Sequence, residues 1–242
     1  MKAYVINLER SVERREYMEK QLKEMVCLQP EFVEAVDGRC MVEEERKRLF
    51  DDELFRKRNA AVARPGEVGC TLSHQKCYRK IVGENEPYVL ILEDDIRIPD
   101  YEEFRNVLTK IDTLMKTDEP LIILLSGWYW YWNASPLAGN YKLANVYDAF
   151  LTHSYVINRA AARLLIEERP FIIADDWGYI RKKNIRLRAV LPHLVEQNWD
   201  GSIVTTVNVE PNKRKNIGWY MKNCIRLSIL KTLSLCGHFE KA

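Results

Sequence analysis

The segment Tyr88-Val89-Leu90-Ile91-Leu92-Glu93-Asp94-Asp95 decides the fold of this chain. Its first five residues, mostly apolar, are typical of a buried strand, and they run directly into three consecutive carboxylates. Such a strand ends at the edge of a sheet, where open α/β folds bind ligands. Because three adjacent acids repel one another, the segment predicts a bound Mg²⁺ or Mn²⁺ ion, which prefers oxygen ligands. The alternative is a strand that ends in a solvated acidic turn.

Segments typical of strands alternate with segments typical of helices on both sides of this motif. The predicted strands are 3–8, 32–36, 88–92, 121–125, 150–157 and 186–191, and the predicted helices are 14–25, 41–64, 66–82, 101–115 and 159–168. Within 101–115 the residues predicted to face the core are Phe104, Leu108, Ile111 and Leu114. The aromatic run 127–132 has no clean period. The alternation predicts an α/β fold with a mixed, mostly parallel sheet covered on both faces.

Length and composition limit the class of protein. The 242 residues, 47% hydrophobic and 30% charged, fit one large domain or one domain with an appendage. The net charge of +2 provides no general field for binding nucleic acid. The cysteines show no CxxC pair and no zinc-site spacing, and Cys70 and Cys77 are expected to be buried thiols. No signal peptide or membrane-spanning segment is recognisable, so we expect a cytoplasmic protein with reduced thiols.

Four short motifs occur in order along the chain. They are Val5-Ile6-Asn7-Leu8-x-Arg10-x-x-x-Arg14-Arg15, Glu34-Ala35-Val36-Asp37-Gly38, Gly66-Glu67-Val68-Gly69-Cys70-x-Leu72-Ser73-His74 and Leu92-Glu93-Asp94-Asp95. Together they resemble glycosyltransferase family 25, the bacterial lipooligosaccharide galactosyltransferases and their collagen-modifying relatives. The resemblance implies a GT-A type fold over residues 1–208, with a Rossmann-like half that holds a nucleotide-sugar and an acceptor-binding half after it. It also implies UDP-galactose as the commonest donor and a divalent metal, Mn²⁺ or Mg²⁺.

The acidic triplet would then hold the metal against the donor diphosphate. Asp95 is the first choice as metal ligand, while Glu93 or Asp94 would contact the ribose or the sugar, or bind the ion through water. Departure of UDP develops negative charge, which the metal neutralises as a Lewis acid. Arg10, Arg14 or Arg15 could neutralise it by bidentate phosphate contact, although Arg14 and Arg15 could equally lie on a solvated helix face.

Further donor-site candidates come from the other motifs. They are Asn7, Glu34, Asp37, Glu67, Ser73, His74 and, after the last strand, Gln197. Asp37 could accept hydrogen bonds from ribose or uracil, or belong to a simple Asp-Gly turn. His74 could instead be a structural histidine. His193 is a candidate for completing the metal shell.

Asp175 and Asp176 form a second acidic pair and are the catalytic candidates. An inverting transferase needs one carboxylate to take the proton from the acceptor hydroxyl, and we favour Asp175. The other aspartate could cap the helix predicted to open at Trp177. Trp177 and the aromatic residues at 128–132 could stack on sugars or belong to the core.

Residues 209–242 are predicted to form a basic, partly amphipathic, helical tail. In a helix over 215–228, Lys215, Lys222 and Arg226 fall together, opposite Ile217, Tyr220, Cys224 and Leu227, a pattern typical of an interfacial membrane helix. The alternative is a helix packed on the domain or on a partner subunit. The prediction is a peripheral enzyme on the inner face of the cytoplasmic membrane.

The predicted reaction moves galactose from UDP-galactose to a lipooligosaccharide or lipopolysaccharide core acceptor, with inversion and a β-linkage. Another UDP-sugar or acceptor is the first alternative. A nucleotide-sugar-binding protein without turnover and a metal phosphohydrolase are the others.

Overall fold

A computed structural model describes residues 1–198 and 217–241, and in it strands and helices alternate over most of the chain. The strands are β1 (Lys2–Asn7), β2 (Gln29–Glu34), β3 (Tyr88–Glu93), β4 (Ile96–Arg97), β5 (Leu121–Leu124), β6 (Trp128–Ala138), β7 (Tyr141–Phe150), β8 (Ser154–Asn158), β9 (Arg186–Leu191), β10 (Glu196–Gln197) and β11 (Phe239–Glu240). The helices are α1 (Val12–Lys23), α2 (Glu43–Leu49), α3 (Asp52–Asn59), α4 (Pro65–Gly83), α5 (Tyr101–Met115), α6 (Arg159–Ile166), α7 (Trp177–Ile180) and α8 (Ile217–Leu235), and a 3₁₀ turn spans Arg181–Lys183.

Nine strands form one sheet in the order β11-β6-β7-β9-β5-β8-β3-β1-β2. The pairs β1–β2, β1–β3 and β5–β9 are parallel, whereas β8 lies antiparallel between β3 and β5. Following the pairings across the sheet, β1, β2, β3, β5, β6 and β9 run in one direction and β7, β8 and β11 in the other. The predicted α/β class with a mixed, mostly parallel sheet is confirmed.

Both faces of the central sheet are covered by helices. In β3, Val89 and Ile91 belong to one apolar cluster, which includes Ile81 of α4. Leu90 and Leu92 belong to the opposite cluster, to which α1 and α5 contribute. A strand buried on both faces has no polar alternation, which explains the continuous apolar sequence of β3.

Several local predictions differ from the structure: the helix predicted over 41–64 is two helices, α2 and α3, and only 154–157 of the predicted strand 150–157 lies in β8. The aromatic run at 127–132 enters a long strand, β6, which forms a hairpin with β7. On α5, Leu114 is 37% exposed while Met115 is buried with Phe104, Leu108 and Ile111. The spacing 104, 108, 111, 115 follows the apolar stripe of an ordinary helix, so Met115 continues it and Leu114 does not.

The described part of the predicted tail joins the main fold. β11 pairs antiparallel with β6, and Phe239 lies opposite Trp130. Arg226 of α8 forms an ion pair of 2.5 Å with Asp148, whose side chain is buried. Arg226 therefore faces the protein and not a solvated basic surface. Lys215 and the boundary at 208–209 lie outside the described residues.

No helix in residues 1–198 or 217–241 combines the length and apolar character needed to cross a bilayer.

Candidate active site

A cleft of about 610 Å³ opens at the carboxyl ends of β1, β2 and β3. Its lining comes from the loops after these strands, the first turns of α4, the loop between β7 and β8, and the segment before α7. Of the predicted site residues it collects Arg10, Arg14, Asp37, Glu67, Ser73, His74, Glu93, Asp94, Asp95, Asp175 and Gln197. A cleft at the carboxyl edge of parallel strands is where open α/β folds bind ligands.

The carboxylate of Asp94 is hydrogen-bonded by two side chains of the protein. Asn7, at the end of β1, donates from Nδ2 to Asp94 Oδ2 at 2.7 Å, and Arg14 donates to Asp94 Oδ1 at 2.7 Å. The Arg14 side chain is only 13% exposed, so it does not lie on a solvated helix face. Both oxygens of Asp94 are thus hydrogen-bonded. Asn7 and Arg14 act on the cleft mainly by holding this carboxylate in place.

Asp95 has a different environment. Gln197 donates to its Oδ2 at 3.2 Å, and Arg14 lies 3.7 Å from the same oxygen. Its Oδ1 is buried and has no hydrogen-bond partner among the described residues. Burial, together with the negative charge of Glu93, raises the pKa of Asp95. A buried carboxylate oxygen without a donor fits a hard divalent cation, so the residues present suit the predicted Mn²⁺ or Mg²⁺.

Glu93 is oriented by two residues from different elements, the loop between β7 and β8 and helix α4. Thr152 donates a short hydrogen bond to Glu93 Oε1, and His74 Nε2 lies 3.4 Å from the same oxygen. Burial opposes ionisation of Glu93, but the His74 contact, attraction to His153 and the Thr152 bond together lower its pKa. Glu93 therefore ionises more readily than its neighbour Asp95.

The loop after β2 lies directly on α4. A Cβ atom added to Gly69 would come 2.6 Å from both the Gly38 nitrogen and the Val36 oxygen, so backbone meets backbone here. Ser73 Oγ accepts from Val36 N at 2.8 Å and donates to Gly69 O at 2.7 Å. The hydroxyl of Ser73 therefore joins this loop to α4, while the residue also lines the cleft.

Three other donor-site candidates have protein partners or lie apart. Glu67 accepts from Arg64 N at 2.7 Å and so caps the start of α4. Glu34, the last residue of β2, is exposed and does not line the cleft. Asp37 forms an ion pair with Arg10 and accepts from Arg39 N at 3.1 Å, which makes it part of a turn that still faces the cleft.

Asp175 reaches the cleft from the segment before α7. It accepts from Leu151 N at 3.2 Å, and burial, opposed by that bond and helped by the charge of Asp176, raises its pKa to about 6. Asp176 instead accepts from Arg58 at 2.7 Å and caps α7 by accepting from Tyr179 N at 3.1 Å. Of the two aspartates, Asp175 is the one with an ionisable oxygen available to the cleft.

His193 is not brought to the acidic triplet. Its ring lies 5.0 Å from the Tyr129 ring, and its Nδ1 lies 4.0 Å from Glu240, away from the cleft lining. Trp177 is fully buried and donates to Leu151 O at 2.7 Å, so it belongs to the core. Trp130 packs against Phe239.

Thr152 and His153 line the cleft but were not predicted as site residues from the sequence. They lie in the loop between β7 and β8, and His153 O accepts from Glu93 N at 2.9 Å. Their position follows from the antiparallel pairing of β8 with β3. No local sequence pattern predicts that pairing.

The sequence is similar to proteins of a known family, and the match includes these site residues. The model of glycosyltransferase family 25 (LPS biosynthesis protein) matches residues 1–177, which include the triplet and Asp175. A glycosyltransferase 25 family member of Aedes aegypti is 32% identical over 179 residues, covering 69% of this chain and 28% of that protein. Procollagen galactosyltransferase 2 of Homo sapiens is 29% identical over 175 residues, with the same coverage. The chain thus matches little more than a quarter of the length of these relatives.

Among solved structures, mannose-1-phosphate geranyltransferase from Thermus thermophilus aligns with 80% of this chain and 60% of its own. The sequence identity is 12% and the TM-score is 0.36.

Proposed function

The chain belongs to glycosyltransferase family 25, and from that premise we propose that it transfers galactose from UDP-galactose to a sugar of a lipooligosaccharide core. The proposal rests on one observation: two carboxylates with different surroundings, Asp95 and Asp175, line the same cleft. Asp95 offers a buried oxygen without a donor, and Asp175 has a pKa raised to about 6. The cleft volume of about 610 Å³ lies within the range of ligand sites.

Asp95 is the residue proposed to hold Mn²⁺ or Mg²⁺. Such an ion, when bound, supplies Lewis-acid stabilisation of the departing diphosphate. Gln197 and Arg14 fix the orientation of Asp95. Arg10 and Asp37 also line the cleft, and we assign them to the nucleotide portion of the donor.

Asp175 is the proposed general base. Its carboxylate takes the proton from the acceptor hydroxyl as that oxygen bonds to the anomeric carbon. The bond from the anomeric carbon to the phosphate oxygen breaks on the opposite face, and UDP leaves with the electron pair. One direct displacement inverts the anomeric centre and leaves no covalent intermediate, which gives a β-linkage from UDP-galactose.

Galactose is proposed because a relative is named procollagen galactosyltransferase 2, and the acceptor because the family description names LPS biosynthesis. The test is release of UDP from UDP-galactose with Mn²⁺, with and without a lipooligosaccharide core oligosaccharide. Release that requires the oligosaccharide supports transfer. Release without any acceptor indicates a hydrolase, and binding of UDP-galactose without turnover would overturn the proposed reaction.

The same assay separates the remaining alternatives. UDP-glucose and UDP-N-acetylglucosamine replace the donor in parallel reactions, and a collagen-type peptide replaces the acceptor. Faster turnover with another donor or with the peptide would retain a transferase but reject the proposed substrates.

We also propose that the protein works on the inner face of the cytoplasmic membrane. On α8, Met221, Ile225 and Leu235 are 72%, 74% and 79% exposed, which leaves an apolar face for lipid. Serine substitutions at all three positions are expected to reduce cosedimentation with anionic vesicles at least tenfold. Equal sedimentation of the two proteins would reject membrane binding through α8.

A further inference from the structure

A thiol, an imidazole and a carboxylate converge on the floor of the cleft. Cys70, His74 and Glu93 each offer one ligand atom, and these three atoms all lie within 4.8 Å of one another. Cys70 and His74 are four residues apart on α4, which places them on one face of the helix, and Glu93 ends the neighbouring strand β3. This is the only group of three such ligands among the described residues.

We propose that Cys70, His74 and Glu93 bind a soft divalent cation, Zn²⁺, at a position distinct from the hard-ion site at Asp95. Sulfur and imidazole ligands favour Zn²⁺, whereas the carboxylate and amide oxygens around Asp95 favour Mn²⁺ or Mg²⁺.

The separation of the nitrogen and oxygen ligands suits such an ion. Two ligands with bonds of about 2.1 Å to a tetrahedral Zn²⁺ are about 3.4 Å apart. The observed separation of His74 Nε2 and Glu93 Oε1 is 3.4 Å, which is long for a hydrogen bond. Since all three residues line the cleft, a fourth position on the ion remains open to water or to a ligand.

The surroundings of His74 are those of a metal-binding histidine. Its Nδ1 lies 2.6 Å from the Tyr155 hydroxyl, which lies 2.8 Å from the hydroxyl of Tyr78. A partner on Nδ1 fixes the ring and directs Nε2 toward the ligand position. Thr152 contributes in the same way, because it donates to Glu93 Oε1 and its hydroxyl lies 4.0 Å from Cys70 Sγ.

The test measures Co²⁺ and Zn²⁺ binding, so it does not depend on any transferase activity. Four cysteines are exposed, and their replacement by serine removes adventitious thiol sites: Cys27, Cys40, Cys224 and Cys236. In this background Co²⁺ is expected to bind one ion per chain, to give a thiolate-to-cobalt charge-transfer band and to be displaced by Zn²⁺. Zn²⁺ should also raise the melting temperature, because it binds only the folded chain.

Three variants in that background decide the ligand set. Loss of an outer-shell partner alone lowers metal affinity about 10–100-fold, so Cys70→Ser should lower it by at least about a hundredfold and abolish the thiolate band. Glu93→Gln should weaken binding but keep the band. Cys77→Ala, on the same helix but in the core, is the matched control and should bind Co²⁺ normally.

Asp95→Asn separates the two cation positions. It is expected to leave Co²⁺ binding and its thiolate band unchanged. Undiminished binding in Cys70→Ser, absence of a stoichiometric thiolate band in the background protein, or loss of the band in Asp95→Asn would each overturn the proposed site.

Discussion

Asp175 and Asp176 are consecutive residues whose carboxylates have opposite surroundings. Arg58 donates to Asp176 at 2.7 Å, and Asp176 also caps α7. Asp175 accepts a backbone hydrogen bond from Leu151 at 3.2 Å and has no cationic partner among the described residues, and its pKa is raised to about 6. The pair therefore divides into one structural carboxylate and one that is available to take a proton.

Asp175→Asn is expected to lower kcat about 10²–10⁴-fold, because the amide cannot accept the acceptor proton. The KM for UDP-galactose should change little, since Asp175 is assigned to the acceptor side. Asp176→Asn is the matched control and should keep kcat within about tenfold while lowering the melting temperature. UDP release under saturating donor measures both, and an equal loss of kcat in the two variants would contradict the assignment.

The activity should depend on pH through Asp175. The ionised form is the base, so kcat/KM is expected to fall as pH drops through about 6, the pKa of this carboxyl. Burial raises that pKa most, and the charges of Asp176 and Glu93 add to it by repulsion. Initial rates from mildly acidic to mildly alkaline pH measure the profile. A limb near the ordinary aspartate value of about 4 would show that another group titrates.

Asp175→Asn should also stabilise the protein at neutral pH. Because burial raises the pKa of Asp175 from 3.8 to about 6, the folded state binds more protons than the unfolded state between these values, and stability falls as pH rises through them. At neutral pH the ionised carboxylate costs about 3 kcal/mol, which the amide avoids. Urea unfolding at neutral pH should show the gain. Unfolding near the ordinary aspartate pKa of about 4 is the control, where the gain should nearly vanish.

Asp95→Asn should raise the Mn²⁺ concentration needed for half-maximal activity by more than about tenfold, because it removes the unpartnered anionic oxygen. Asp94→Asn is the comparison, because Asn7 and Arg14 already engage both of its oxygens. It should lower stability and leave the Mn²⁺ requirement unchanged. Mn²⁺ titrations of UDP release distinguish the two, and the reverse order would move the ion to Asp94.

Gly69→Ala is expected to destabilise the fold by about 1–3 kcal/mol and to weaken UDP binding, since the new Cβ meets backbone at 2.6 Å. Gly83→Ala, near the end of the same helix, has open space around its Cβ and should be neutral or stabilising by up to about 1 kcal/mol. Thermal unfolding and UDP titration measure both effects. A neutral Gly69→Ala variant would show that the loop after β2 can move.

The central strands were predictable because burial on both faces leaves a continuous apolar sequence. The segments 88–92, 121–125 and 186–191 correspond closely to β3, β5 and β9. The β6–β7 hairpin was not predictable, since β6 carries three register shifts and lies half-exposed, which removes the period-2 signal.

The candidate site was predictable where it follows a strand end and not where it depends on tertiary contacts. Asp94 and Asp95 directly follow β3 and line the cleft. The structural use of Ser73 and Glu67, by contrast, depends on backbone groups that fold onto α4. The nearness of Thr152 to Glu93 depends on the order of strands, which a local sequence pattern does not contain.

Strand β11 covers the open edge of β6, where the Tyr131 nitrogen donates to His238 O at 3.1 Å. A shortened chain without residues 217–241 would present the backbone edge of an aromatic-rich strand, a template for pairing with another molecule. Such a truncation would therefore promote self-association and mimic membrane binding in a sedimentation assay. Point substitutions on the exposed face of α8 avoid this artefact, because they leave the edge of β6 covered.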